Sequence, residues 1–200
     1  MAVDFDAIIE RQLKDDFPAK LHRFLKPQPN PSAFERTWSY YSFAYEVAFE
    51  TMARDYCQRY PAQEYLLIPM TNLARHSMEL SLKYALTECS FFANRPLKIE
   101  GHSLLVLNDR LDKFLIEEGL MEGGDGWNEQ TRRVLVHIDN VDKSGEAFRY
   151  PADLAGNRFD PLLIDVEGLI AAHHHITTLA DATVTMLQET GACRYDSDYR

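Results

Sequence analysis

The stretch from residue 62 to 92 constrains this chain most, because it reads as a long helix with almost no polar side. At roughly 100° per residue, Leu66, Leu73, Leu80 and Tyr84 lie on one flank, and Leu67, Met78, Leu82, Ala85 and Cys89 on the opposite one. Ile68 and Leu86 point in a third direction. Only Asn72, His76, Glu79, Lys83 and Thr87 form a polar stripe, with Arg75 at its edge. A helix that is apolar around most of its circumference has to be wrapped by others, so the pattern predicts the centre of a helical bundle.

The remaining segments supply the wrapping. Residues 3 to about 25 carry Phe5, Ile8, Ile9 and Leu13 at three- and four-residue spacing and end before the connector KPQPNP. A second helix is expected from Pro31 or Ser32 to about Tyr60, its series Phe34, Trp38, Tyr41, Tyr45 and Phe49 forming a packed face rather than a stacking platform for bases. A fourth, about 103 to 118, presents Leu104, Leu107, Leu111 and Leu115, with Ser103 as its cap. A fifth, about 127 to 143, would bury Val134, Ile138 and Val141. Residues 147–159, AFRYPADLAGNRF, have strand-like ends around an Ala-Gly-Asn turn and predict a small hairpin. A last helix is expected at about 160 to 189, starting with Leu163, Val166, Leu169 and Ile170. The fold class is therefore all-α, a bundle of about six helices with one small β-hairpin insertion. No repeat or dividing linker interrupts it, so residues 1–200 are expected to form one domain.

Composition narrows the function. The formal charge of −10 gives a field that repels phosphates, so a nucleic-acid partner has to be met by a local basic patch. The opening MAVDFDAIIERQLKDD has acidic residues where a signal peptide would be basic, and charge cuts every apolar run short of the roughly 20 residues a membrane span needs. Cys57, Cys89 and Cys193 are odd in number and lack metal spacing. A cytoplasmic chain with reduced thiols and no membrane association is the expectation.

Three segments carry a resemblance. ARHSMELSLKYAL (74–86) contains His76, Glu79, Leu80, Leu82 and Lys83 in the order H-x-x-E-L-x-L-K; GHSLLVL (101–107) opens with Gly101 and His102; EAFRYPAD (146–153) contains Phe148 to Pro151. Together they resemble the HEPN superfamily of helical-bundle proteins, over roughly 62–155, with an HEPN-like core then extending over about 62–189. The resemblance implies a compact bundle, frequent homodimerisation and, in many members, metal-independent RNA cleavage in toxin or antiphage systems. Other members are non-catalytic modules that bind or regulate a protein partner. Neither class implies a cofactor.

In the nucleases of that family an Arg is followed four to six residues later by a His. The His moves the proton of the attacking 2′-hydroxyl or of the leaving oxygen, and the Arg holds charge developing on the phosphoryl group. Two candidate pairs exist here. Arg132 and His137 have the spacing, but five residues along a regular helix set them about 140° apart; Arg133, four before His137, shares its side. The alternative for this stretch is a solvated flank in which Glu129 pairs with Arg132 or Arg133. Arg95 and His102 straddle a loop containing Pro96 and Gly101.

The stripe itself has two readings. It is either where the third helix meets water, with Glu79–Lys83 an ordinary surface pair, or the wall of a cleft, with Glu79 orienting His76 or His102 for acid–base work. His76, Glu79, Lys83, Arg75 and Arg149 are the candidate binding residues, Arg149 having a salt bridge as its structural alternative. No metal site is predicted: His173, His174 and His175 diverge by about 100° each, and carboxylate and E-x-x-H ligands on several helices are absent. GGDG at 123–126 lacks the lysine and preceding strand of a phosphate-binding loop.

Overall fold

A computed structural model describes residues 4–14, 32–60, 64–124 and 126–198, with backbone alone at 12 and 192–198. The chain divides into two compact units, Met1–Ser32 and Ala33–Arg200. In the first, α1 (Phe5–Lys14) is capped by Asp4, whose carboxylate accepts from the Ala7 amide at 3.1 Å. The rest of the helix expected to run to about residue 25 lies outside the described residues.

The second unit is a bundle of α2 (Trp38–Arg59), α3 (Leu67–Phe92), α4 (Leu104–Glu117), α5 (Gly126–Asp142) and α6 (Val166–Asp198). As the wheel requires, α3 is the hub: it packs most extensively against α6 and α2, then against α4. Its Met70, Ala74, Met78, Leu82, Ala85, Leu86 and Cys89 meet Phe49, Ala53 and Tyr56 of α2, Leu104, Leu107, Leu111 and Phe114 of α4, and Ile176, Ala180 and Leu187 of α6, in one core. The aromatic series expected on one helix from Pro31 or Ser32 divides, because α2 starts only at Trp38: Phe34 lies before it and is exposed, Phe49 is buried, Trp38 and Tyr45 are half-buried, and Tyr41 is exposed. No helix among the described residues is long and apolar enough to cross a membrane.

The helix ends follow local chemistry. Thr37 and Ser103 cap α2 and α4, their hydroxyls accepting from Tyr40 N at 3.2 Å and Val106 N at 3.1 Å. α3 stops at Asn94, which holds the left-handed conformation (φ 47°) while Arg95 N donates to Ser90 O at 3.1 Å. α4 stops the same way at Gly119 (φ 68°), with Leu120 N donating to Leu115 O at 2.8 Å.

Three expectations change. On α5 the buried residues are Thr131, Leu135 and Asp142; Val134 and Ile138 pack against the core half-buried, and Val141 is exposed, all three also lining a cavity. The 147–159 segment contains no strand; a turn organised by Asp153, whose carboxylate accepts from Ala155 N and Asn157 N at 2.9 Å, leaves one isolated antiparallel bridge between Ala152 and Arg158. Finally, α6 begins at Val166, after the non-helical run that follows Pro161, and Leu163 stands fully exposed before it.

Candidate functional site

The polar stripe of α3 is largely buried. Side-chain exposure is 5% for Arg75, 4% for Glu79 and 10% for Lys83, so the Glu79–Lys83 pair is not a surface pair and this face does not simply meet water. The i, i+4, i+8 spacing stacks the three along one line of the helix. Glu79 accepts from Arg75 Nη1 at 3.2 Å through one oxygen, and from Lys83 Nζ at 2.8 Å and His102 Nδ1 at 3.0 Å through the other. Lys83 also lies 5.8 Å from the ring centre of Trp38. Burial pushes the Glu79 pKa up, but the hydrogen bonds and charges of Lys83 and His102 outweigh it and hold the carboxyl below its ordinary value.

Arg75 ties the stripe to two loops. Its Nη2 donates to His102 O at 2.6 Å, its Nε donates to Asp142 O at 3.2 Å, and Nε lies 3.2 Å from the Asp142 carboxylate. Asp142, at the end of α5, uses its other oxygen to accept from Glu146 N at 2.8 Å and Ala147 N at 3.2 Å. The loop therefore turns back over α3. Gly145 makes this possible: its φ is 80°, and a Cβ there would fall 2.7 Å from Arg75 Nη1 and 3.0 Å from Arg149 Nη2.

Arg149 and His102 form the exposed part of the cluster. Arg149 Nε hydrogen-bonds Gly145 O, its guanidinium lies 6.0 Å from the Tyr150 ring, and no described carboxylate lies within 4.0 Å of it, so the expected salt bridge is not formed. The His102 side chain is 61% exposed. Because an ionised carboxylate can only accept, Nδ1 of His102 carries the hydrogen toward Glu79, and in the neutral ring Nε2 is then the acceptor. His76 is half-buried against Tyr45, ring centres 4.4 Å apart. Burial lowers its pKa; Glu79 opposes this, and Arg149, Lys83 and Arg75 add to it. Arg75, Lys83 and Arg149 set against Glu79 and Asp142 make three cations to two carboxylates, a local positive excess on an acidic protein.

The other predicted residues lie apart. Arg132 pairs with Asp109 of α4, while His137 lines the cavity together with Arg133, which reaches Glu129 at 3.7 Å. The regular helix thus separates Arg132 from His137, as the 140° offset requires. Arg95 sits by Glu117 and Glu118, at 3.8 and 3.7 Å, and over the Phe114 ring. It is at the C-terminal end of α4, whereas His102 precedes the N-terminal end, about 20 Å away along a 14-residue helix. Of the stripe's ends, Asn72 is half-buried and Thr87 donates to Lys83 O at 2.8 Å.

Asp142 and Gly145 escape the sequence reading. One signal existed: an aspartate in the last turn of a helix opposes the helix dipole, so it calls for a cationic or amide partner elsewhere. The histidines of α6 go three ways. His173 is buried on Ser77 and Phe49, His174 is exposed, and His175 hydrogen-bonds Thr131 at 2.8 Å.

Beside the cluster, α3, α5 and the start of α6 border a half-open cavity of ≈530 Å³, lined mainly by apolar side chains. No family model, curated protein or solved structure matches the chain.

Proposed function

We propose that this chain is an HEPN-like protein acting on RNA in RNA metabolism or in toxin or antiphage defence, with a metal-independent phosphodiester-cleaving site centred on His102. One observation supports the reading above all: segments 74–86, 101–107 and 146–153, which carry the resemblance, meet at the Glu79 cluster, the first two through Arg75, Glu79 and His102 and the third through the Glu146 and Ala147 amides on Asp142, which Arg75 holds. In this reading Glu79 holds Nδ1 of His102, and Nε2 moves the proton of the attacking 2′-hydroxyl or of the leaving oxygen. Arg149, which has no carboxylate partner among the described residues, holds the charge that grows on the phosphoryl oxygens. Arg75 and Lys83 are spent on Glu79, and Lys83 helps to keep the carboxylate ionised. A second copy of the chain across exposed His102 and Arg149 would complete a cleft in a homodimer.

The test is cleavage of a mixed RNA pool by purified protein in a chelator. His102→Ala is expected to slow cleavage about 100-fold or more, and His137→Ala and Arg132→Ala to leave it unchanged. Unaltered cleavage by His102→Ala removes the site, and loss in His137→Ala moves it to α5.

A second reading, a non-catalytic module that binds a protein partner, is favoured by a separate observation: Arg132 turns away from His137 to Asp109, and Arg95 lies at the far end of α4 from His102, beside Glu117 and Glu118. Its signature is no cleavage of any RNA class, with a co-purifying protein released by Arg149→Glu.

A further inference from the structure

We infer that the cavity between α3, α5 and the start of α6 is a binding site for a single-chain amphipathic anion, of which a medium-chain carboxylate is the simplest example. Its ≈530 Å³ lies within the usual range for small-molecule pockets, roughly 300–1,000 Å³. The walls are Met78 of α3, Val134, Ile138 and Val141 of α5, and Phe148 and Leu162. Leu162 remains 47% exposed although a core lies beside it, so an apolar tail would remove surface from water that folding leaves wet.

The charges at this cavity select the head group. Arg133 and His137 stand one turn apart on the same side of α5 and both line it. Arg133 has one described ion-pair partner, Glu129 at 3.7 Å, and His137 has no hydrogen bond or ion pair among the described residues. Asp165 also lines the cavity, but it is occupied as the cap of α6, one carboxylate oxygen accepting from Gly168 N at 3.2 Å. The guanidinium of Arg75 reaches the inner wall but is committed to Glu79, Asp142 and His102. An anionic head therefore meets two groups able to donate, Arg133 and His137, the latter without a partner among the described residues, whereas a cationic head meets one carboxylate, Asp165, with a single oxygen left over from the α6 cap. This site does not depend on the RNA reading.

Calorimetric titration of the full chain with decanoate, and in parallel with decyltrimethylammonium, both below micelle formation, tests it. Decanoate is expected to bind one to one, at least tenfold tighter than the ammonium. Arg133→Glu, on a side chain 74% exposed and so safe for folding, should weaken decanoate about tenfold. Ile138→Trp should abolish binding by filling the cavity; if circular dichroism shows that variant unfolded, Leu162→Trp on the half-exposed wall replaces it. Equal binding of the two head groups, unchanged affinity in Arg133→Glu, undiminished binding in the folded tryptophan variant, or no binding of decanoate would each overturn the proposal.

Discussion

Two helices of this chain carry an arginine with a candidate partner further along the same helix, Arg132 with His137 on α5 and Arg75 with Glu79 on α3, and the bundle treats them in opposite ways. On α5, Arg132 turns to Asp109 and His137 to a cavity, each fixed by its own angle on a regular helix. On α3, Arg75, Glu79 and Lys83 share one line, and two loops come to them: 101–103 through His102, and 142–149 through Asp142 and Gly145. The contrast shows that spacing along one helix sets direction alone. A polyvalent site forms where a buried charge forces separate segments to satisfy it.

The comparison breaks first, and with the largest effect, at Glu79. Glu79→Gln keeps the shape but leaves Arg75 and Lys83 without their shared carboxylate in a buried site, and is expected to cost about 3–5 kcal/mol, read as a fall in the urea midpoint. The folded-state pKa of Glu79 lies below its ordinary 4.5, so its contribution is present above that value and is lost as pH falls through the folded pKa. The variant should lack that part of the acid destabilisation; an equal acid slope in both proteins would mean that the cluster is not ionised as described.

Gly145→Ala sharpens the same point by moving no charge. The positive φ and the approach to Arg75, which its three partners keep from swinging away, predict a loss of about 1–3 kcal/mol in the same measurement. A loss below that of an ordinary loop substitution would show that the loop is not clasped to α3. Arg132→Ala gives the smallest effect. Its pair with Asp109 is about half exposed on both sides, so less than about 1 kcal/mol is expected.

How legible this was in the sequence varies with what each residue had to decide. Leu104, Leu107, Leu111 and Leu115 of α4 recur at three and four residues and are all buried, and the nearly all-apolar circumference of α3 correctly made it the hub. α5 met the same method halfway: Val134 and Ile138 pack against the core, but Thr131 and Leu135 take its buried positions, and Val141 is left exposed beside a cavity. Hydrophobic period locates an apolar side without saying what fills the space beside it. At the cluster, His76, Glu79, Lys83 and His102 were recognisable from their pattern. Asp142 was not, because its meeting with Arg75 joins residues 67 apart in sequence and leaves no local spacing to read. The burial of Glu79 was equally hidden, since a single polar stripe looks alike whether water or a loop covers it.

The single guanidinium of Arg75 holds the backbone at His102 and at Asp142 at once, and neither loop contains a regular element to stiffen it independently. Arg75 and the Ser103–Asp139 hydrogen bond thus clamp both segments to one part of the bundle, so that Arg75→Lys is expected to raise amide exchange at 101–103 and 142–149 together, as exchange measured on the two segments would read.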